Sequence, residues 1–156
     1  MNTPACRPAN VDDFADLVEL YRHLSPDDHA ASEDLQKSTF TKMLAHPGMT
    51  VLVASLNDRL VATLTVVVIP NLTRGCAPYA LIENVVTNVD YRGLGFGGQL
   101  MEVAKNCAWQ AGCYKIMLMS GAQNQKAHAF YERAGFQKSK TGFELRQPGY
   151  PSRNPE

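Results

Sequence analysis

The sequence predicts a single α/β domain, and three features of the chain favour it. Segments rich in β-favouring apolar residues alternate with segments whose apolar residues recur at helical spacing. With 156 residues, 45% of them hydrophobic and 19% charged, the chain is long enough to bury a core. No repeat and no linker interrupts the pattern. Residues 1–146 are therefore predicted as one domain, and the proline-containing residues 147–156 as a flexible C-terminal tail.

The first half of the chain predicts the order β-α-α-β-β. A short strand from Thr3 to Ala9 precedes a helix that Asn10 caps and that carries one apolar stripe. Ser32 is expected to cap a second helix. Residues 49–56 and 60–69 are β-rich runs joined by a hairpin. The second run is almost continuously apolar, which predicts a central strand.

The second half of the chain predicts the order β-α-β-α-β-β. Gly112 and Gly135 are expected to end its two helices, because glycine readily adopts the conformation that closes a helix. The predicted elements are residues 81–89, 100–111, 114–119 and 125–134, with 136–138 and 142–146 as a closing hairpin.

A glycine-dense turn follows the strand that starts at Leu81. Its glycines are Gly93, Gly95, Gly97 and Gly98, four within six residues. A simple chain reversal needs fewer, so this density favours a backbone that approaches another group closely. A helix that begins in such a loop presents unpaired N–H groups and the positive end of its dipole. The segment is therefore predicted to bind a phosphate-bearing cofactor.

Two common phosphate-binding patterns fit this turn poorly. A dinucleotide fold places its glycines after the first strand, with an acidic residue about twenty positions further on. Here the glycines lie mid-chain, and no acidic residue is obviously placed to bind a ribose. A P-loop ends in Gly-Lys-Ser/Thr, whereas this turn ends in Gly97-Gly98-Gln99. The turn by itself leaves the cofactor open.

Two motifs in register resemble the GNAT (GCN5-related N-acetyltransferase) superfamily. Arg92-x-x-Gly95-x-Gly97 after an apolar strand is similar to that family's acetyl-CoA signature, and the segment from Asn124 to Phe136 is similar to its second cofactor motif. The resemblance covers nearly the whole chain to about Arg146. It implies a mixed, mostly antiparallel central sheet flanked by helices, in the order β-α-α-β-β-β-α-β-α-β-β. It also implies acetyl-CoA as cosubstrate.

Within that family, the chain looks similar to small acetyltransferases of amino sugar phosphates and aminoalkylphosphonates. The stretches that carry this similarity are residues 82–86, 112–116 and 127–131. This likeness implies a small primary amine as the acceptor, with a phosphate or phosphonate group attached to it.

The resemblance implies how the cofactor is held. The backbone N–H groups of the turn are expected to wrap the pyrophosphate, which fits a glycine-rich helix start. The side chain of Arg92 either contacts phosphate or braces the loop. Asn124 is expected to hydrogen-bond the cofactor, with capping of the following helix as an alternative. The full set of candidate cofactor-binding residues is Val85, Val86, Thr87, Arg92, Gly93, Leu94, Gly95, Phe96, Gly97, Gly98, Asn124 and Tyr131.

Acetyl transfer needs a neutral amine and a proton for the departing thiolate. Tyr131 is the candidate for protonating or hydrogen-bonding the sulfur of CoA, because the family carries this role at the matching position. Glu83 is the candidate general base, acting through water. A carboxylate within an apolar strand is costly to bury, which favours a functional role. The alternative is that Glu83 faces a polar cleft and only binds the amine.

The remaining candidates are assigned to the acceptor or to the structure. Glu83, Asn84, Arg74 and His29 are the candidate substrate-binding residues, since the loops that carry Arg74 and His29 tend to border the acceptor site in this family. His128 is favoured as a packing or solvent-facing residue. Trp109 is expected in the core or at an interface rather than in the site.

Composition restricts the partners. Lys and Arg together number 15, as do Asp and Glu, so the chain lacks the basic surplus of a general nucleic-acid binder. The N-terminus has no hydrophobic signal core and the longest apolar run is too short to span a bilayer, so a cytoplasmic protein without membrane contact is expected. The four cysteines form no C-x-x-C pair, which favours free thiols and predicts no metal site.

The predicted function is transfer of the acetyl group of acetyl-CoA to a primary amine of a small molecule, directly in a ternary complex. Two alternatives stay open. The acceptor could be a protein N-terminus or lysine, or the chain could bind acyl-CoA without turnover. The presence of both Glu83 and Tyr131 favours the enzyme. A homodimer is expected from the habit of the family.

Overall fold

A computed structural model describes residues 3–150. These residues fall into two compact units, the first ending at Leu118 and the second beginning at Met119. Every strand of the described chain and three of its α-helices lie in the first unit, and the fourth helix lies in the second.

The elements of the first unit follow the predicted order closely. Asn57 and Asp58 join the second and third strands with φ angles of +50° and +60°, which a tight two-residue hairpin requires. The elements are β1 (Ala5–Pro8), α1 (Phe14–Leu24), α2 (Glu33–Ala45), β2 (Met49–Leu56), β3 (Arg59–Ile69), β4 (Tyr79–Thr87), α3 (Phe96–Gln110) and β5 (Ile116–Leu118).

The five strands form one sheet in the order β1-β2-β3-β4-β5. All neighbouring strands pair antiparallel except β4 and β5, which are parallel. The expectation of a mixed, mostly antiparallel sheet is therefore confirmed. β3 is the middle strand, as its continuous apolar run predicted.

The start of the first helical segment is held by charged and polar groups. A single 3₁₀ turn, Val11–Asp13, precedes α1. Asn10 accepts a hydrogen bond from the N–H of Asp12, while the Asp13 carboxylate accepts one from the N–H of Asn10. Arg7 on β1 donates two further bonds to Asp13, at 2.7 and 2.8 Å. This network ties the first strand to the first helix.

The sheet is covered on both faces in the first unit. Helices α1 and α2 pack on one face, through residues such as Leu17, Leu20 and Phe40. Helix α3 packs against β2, β3 and β4 on the other face, where Leu100 and Met101 are fully buried. The two faces alternate along each strand, because successive side chains point in opposite directions.

The second unit contains α4 (Gln125–Arg133), and Gly135 follows it with a φ of +92°. The predicted closing hairpin is wrong, since residues 136–146 contain no strand. Phe143 and Leu145, which would form its apolar face, are 93% and 99% exposed. An isolated hairpin is marginally stable unless it buries such a face. The predicted flexible tail lies partly outside the described residues, which end at Tyr150.

Candidate active site

A β-bulge interrupts β4 at Asn84. Thr63 of β3 lies opposite Val86 and Thr65 lies opposite Glu83, so a step of two residues on β3 matches three on β4. Asn84 has a φ of +53°, in the left-handed region that asparagine tolerates better than most residues. Residues directly opposite each other share a face of the sheet, so Glu83 faces the same side as Thr65.

The strands β4 and β5 part next to this bulge. Their parallel pairing ends with Ile82 opposite Leu118, whereas β4 continues to Thr87 with β3 on its other side. No strand of residues 3–150 pairs with residues 85–87 on the open side. The main-chain N–H and C=O groups of that edge can therefore pair with an extended ligand segment.

The glycine turn leads into a helix start that no side chain caps. Gly95 is the N-cap residue of α3 with a φ of +85°, and Gly93 has a φ of +78°. Only glycine adopts such angles at little cost. A Cβ placed on Gly93, Gly95 or Gly98 would meet no heavy atom within 4 Å, so the surface before the turn is open. The first N–H groups of α3 are therefore available to an anion.

Arg92 braces the turn against β4. Its Nε donates a hydrogen bond to the carbonyl oxygen of Thr87 at 3.1 Å. The residue is otherwise exposed. Of the two roles considered for Arg92, the structure provides direct support for bracing.

Glu83 lies at the surface of the first unit. Its expected burial is wrong: the residue is exposed. The pairing of β4 with β5 ends one residue earlier, at Ile82, and the bulge begins one residue later, at Asn84. On the β5 side, β4 therefore has no neighbouring strand at Glu83. An exposed carboxylate of this kind can accept a proton through water or bind an ammonium group.

A cationic cluster lies at the opposite end of β4, formed by Arg74, Tyr79, Tyr114 and Lys115. The Nζ of Lys115 lies 5.4 Å from the ring centroid of Tyr79 and 5.3 Å from that of Tyr114, and the guanidinium carbon of Arg74 lies 5.9 Å from Tyr114. Neither cation forms an ion pair within residues 3–150. Arg74 was predicted from the sequence as a substrate-binding residue, whereas Lys115 was not, because its position depends on the pairing of β4 with β5.

The second unit holds the remaining sequence candidates. The side chain of Asn124 accepts a hydrogen bond from the N–H of Ala127 at 3.0 Å, so Asn124 caps α4. The ring of Tyr131 contacts those of Phe130 and Phe136, with centroids 5.2 and 6.1 Å apart. Nε2 of His128 lies 2.9 Å from the carbonyl oxygen of Gly121, which supports a structural role.

Other sequence candidates lie apart from these features. His29 is exposed in the loop between α1 and α2, and Trp109 on α3 is 50% exposed, which excludes it from the core. Within the described residues, no helix is long and apolar enough to cross a membrane, and no cluster of His, Cys, Asp or Glu could hold a metal ion. All four cysteines are free thiols.

The chain belongs to the acetyltransferase (GNAT) family, whose model matches residues 15–136. It is therefore an acetyl-CoA-dependent N-acetyltransferase, as the two motifs predicted. Two features of the first unit fit this cosubstrate. The open edge of β4 can pair with the extended, amide-bearing pantetheine arm, and the uncapped start of α3 can bind the pyrophosphate. When bound, acetyl-CoA supplies the acetyl thioester.

Named relatives support the same assignment. Glucosamine 6-phosphate N-acetyltransferase 1 of Dictyostelium discoideum is 26% identical over 147 residues, which cover 93% of this chain and 92% of that protein. Glucosamine 6-phosphate N-acetyltransferase of Trypanosoma brucei brucei is 29% identical, with 80% of this chain and 82% of that one covered. A solved structure from Agrobacterium tumefaciens str. C58, provisionally named an acetyltransferase, is 45% identical with a TM-score of 0.89, over 92% of this chain and 99% of that one.

Proposed function

We propose that this N-acetyltransferase acetylates a small primary amine that carries an anionic group. The observation that carries the proposal is the placement of Glu83 and the cationic cluster along β4. By register, Tyr79 and Glu83 lie on the same face of the sheet, opposite Ile69 and Thr65 of β3. The carboxylate of Glu83 can bind the amino group of the acceptor. Arg74 and Lys115, which form no ion pair within residues 3–150, can bind its anionic group.

The spacing favours a small acceptor. Glu83 lies four positions after Tyr79 on β4, which corresponds to about 13 Å along the strand. The long side chains of Arg74 and Lys115 can extend over part of that distance. An acceptor with its amine at one end and a phosphate or phosphonate at the other is compatible with this arrangement. The names of the two curated relatives, which specify glucosamine 6-phosphate, support the same class.

The proposed reaction is direct transfer in a ternary complex. The amine nitrogen attacks the thioester carbonyl, the new C–N bond forms, and the C–S bond breaks. Glu83 accepts the amine proton through a water molecule, and Tyr131 donates a proton to the departing thiolate. The N–H groups at the start of α3 bind the pyrophosphate, and residues 85–87 pair with the pantetheine arm. Arg92 holds the turn in place through Thr87.

The test is release of free thiol from acetyl-CoA with matched amines. Glucosamine 6-phosphate and glucosamine form one pair, and an aminoalkylphosphonate and its alcohol counterpart form another. We expect the anionic member of a pair to have a KM at least tenfold lower, and we expect Lys115→Gln to reduce that preference. Equal use of both members, or a preference for lysine peptides, would contradict the proposal.

The assembly and location of the protein remain predictions of the sequence. A homodimer in the cytoplasm is consistent with the family, and light scattering of the purified chain would measure the mass directly. A monomer that is fully active would contradict a dimer as the functional form.

A further inference from the structure

Three buried hydroxyl groups lie on the face of the sheet that α1 covers. They are Tyr21 Oη and Ser25 Oγ of the α1 region and Thr65 Oγ1 of β3, and none makes a well-aligned hydrogen bond within residues 3–150. Thr65 is only 2% exposed. Buried polar groups are normally paired, because an unpaired group forfeits its hydration without compensation. Each of these hydroxyls therefore needs a hydrogen-bonding partner beyond those seen in the packing of residues 3–150.

The hydroxyls of Tyr21 and Thr65 are close enough to affect each other. Burial raises the pKa of Tyr21, and the hydroxyls of Thr65 and Thr63 partly offset that rise. Tyr21 is therefore a neutral phenol at neutral pH and has one proton to donate. Thr63 already donates its own proton to the carbonyl oxygen of Leu52, at 2.8 Å, so towards Tyr21 it can only accept.

The hydroxyl proton of Thr65 still has no acceptor among these groups. When Tyr21 donates to either threonine, the Thr65 hydroxyl is free to donate elsewhere. Its cross-strand partner is Glu83, on the same face of the sheet. Side chains directly opposite each other on antiparallel strands have Cβ atoms about 5 Å apart, within reach of a threonine hydroxyl and a glutamate carboxylate. A carboxylate is also a stronger acceptor than a neutral oxygen.

We propose that Thr65 is a positioning residue for Glu83, donating a hydrogen bond that holds the carboxylate towards the acceptor amine while Tyr21 orients the Thr65 hydroxyl. The inference rests on the proposed role of Glu83 in the acetyl transfer. An exposed glutamate samples many rotamers, and fixing one of them places the proton acceptor where the amine reacts. Tyr21, Ser25 and Thr65 were not predicted as site residues, since an apolar β-run with two threonines predicts only a central strand.

The test uses Thr65→Val, which keeps the shape of the side chain and removes the hydroxyl, and Thr65→Ser, which keeps the hydroxyl. With a saturating amine that the enzyme accepts, we expect Thr65→Val to lower kcat about tenfold, in line with loss of a hydrogen bond to a charged group. The KM for acetyl-CoA should change less than about twofold, because no contact to the cofactor is removed. Loss of the hydrogen bond between Tyr21 and Thr65 should cost about 1–2 kcal/mol of stability, which leaves the protein folded under the conditions of the assay. Thr65→Ser should keep most of the activity.

A double-substitution cycle distinguishes this inference from the proposed function. Glu83→Gln alone should lower kcat, and adding Thr65→Val to it should cause no further loss, because the two residues act through one group. Three results would overturn the inference while leaving the proposed function intact. The first is that the kcat losses of the two substitutions multiply in the double variant, and the second is that Thr65→Val and Thr65→Ser lose kcat equally. The third is that Thr65→Val is fully active while Glu83→Gln is impaired. Full activity of Glu83→Gln would overturn the role of Glu83 and the inference with it.

Discussion

The glycine turn allows a sharp prediction, because α3 carries a matched glycine at each end. Gly95 precedes the helix with a φ of +85°, and Gly112 follows it with a φ of +79°. A Cβ on either would meet no heavy atom within 4 Å. Alanine at either position would therefore suffer only the cost of a left-handed backbone, about 1–2 kcal/mol, less about 0.5 kcal/mol gained by restricting the unfolded chain. We expect both variants to lose about 1 kcal/mol of stability.

The two variants should differ in cofactor binding. Alanine at position 95 shifts the backbone that presents the first N–H groups of α3 and places a methyl group on the open surface before them. We expect Gly95→Ala to weaken CoA binding at least tenfold, equivalent to about 1.4 kcal/mol, while Gly112→Ala binds CoA normally. Titration calorimetry measures the affinities, and the melting temperatures should fall together by about 2–4 °C. Unchanged CoA affinity in Gly95→Ala, or an equal loss in Gly112→Ala, would refute a cofactor site at this turn.

Three further predictions address other groups. Tyr131→Phe should lower kcat more than tenfold while the Kd for CoA, measured by calorimetry, changes less than about twofold; unchanged turnover would remove Tyr131 from its assigned role. Arg7 lowers the pKa of Asp13 by hydrogen bonding, so the stabilisation by this pair is present above the unfolded-state pKa of about 4 and is lost as the pH falls through the lower folded value. Asp13→Asn should thus cost about 1–2 kcal/mol in denaturant unfolding at pH 7 and much less near pH 2, and an equal cost at both would contradict this. Lys115→Gln should raise the KM for a phosphorylated amine several-fold and leave that of its uncharged counterpart unchanged, which initial-rate kinetics would show.

Local signals in the sequence were sufficient for most of the fold. Asn10 and Ser32 cap the segments where they were expected to do so, because a short polar side chain can accept the first N–H groups of a helix. Gly112 ends α3 with a positive φ, as its position after the apolar stripe implied. Features of this kind depend on residues that are close in the chain, so the sequence alone predicts them.

The geometry of the site depended on pairing between distant segments. From the sequence, Glu83 was predicted to lie in a regular apolar strand. The structure has a bulge at Asn84, and its position depends on how β4 pairs with Thr63 and Thr65 of β3. Asparagine's tolerance of positive φ was the one local signal available. Lys115 likewise joins the cationic cluster through the parallel pairing of β4 with β5. Pairing between strands is not encoded in the spacing of residues along one of them.

The open edge of β4 follows from the shortness of β5. β5 pairs only over Ile116–Leu118, and the residues after it form no further strand before α4. β4 is six residues longer, so its final segment keeps unpaired main-chain groups on one side. Exposed strand edges attract other extended chains. In an acetyltransferase, the extended pantetheine arm of acetyl-CoA can use the same groups, so the short β5 and the bulge at Asn84 together make this part of the sheet suitable for its cosubstrate.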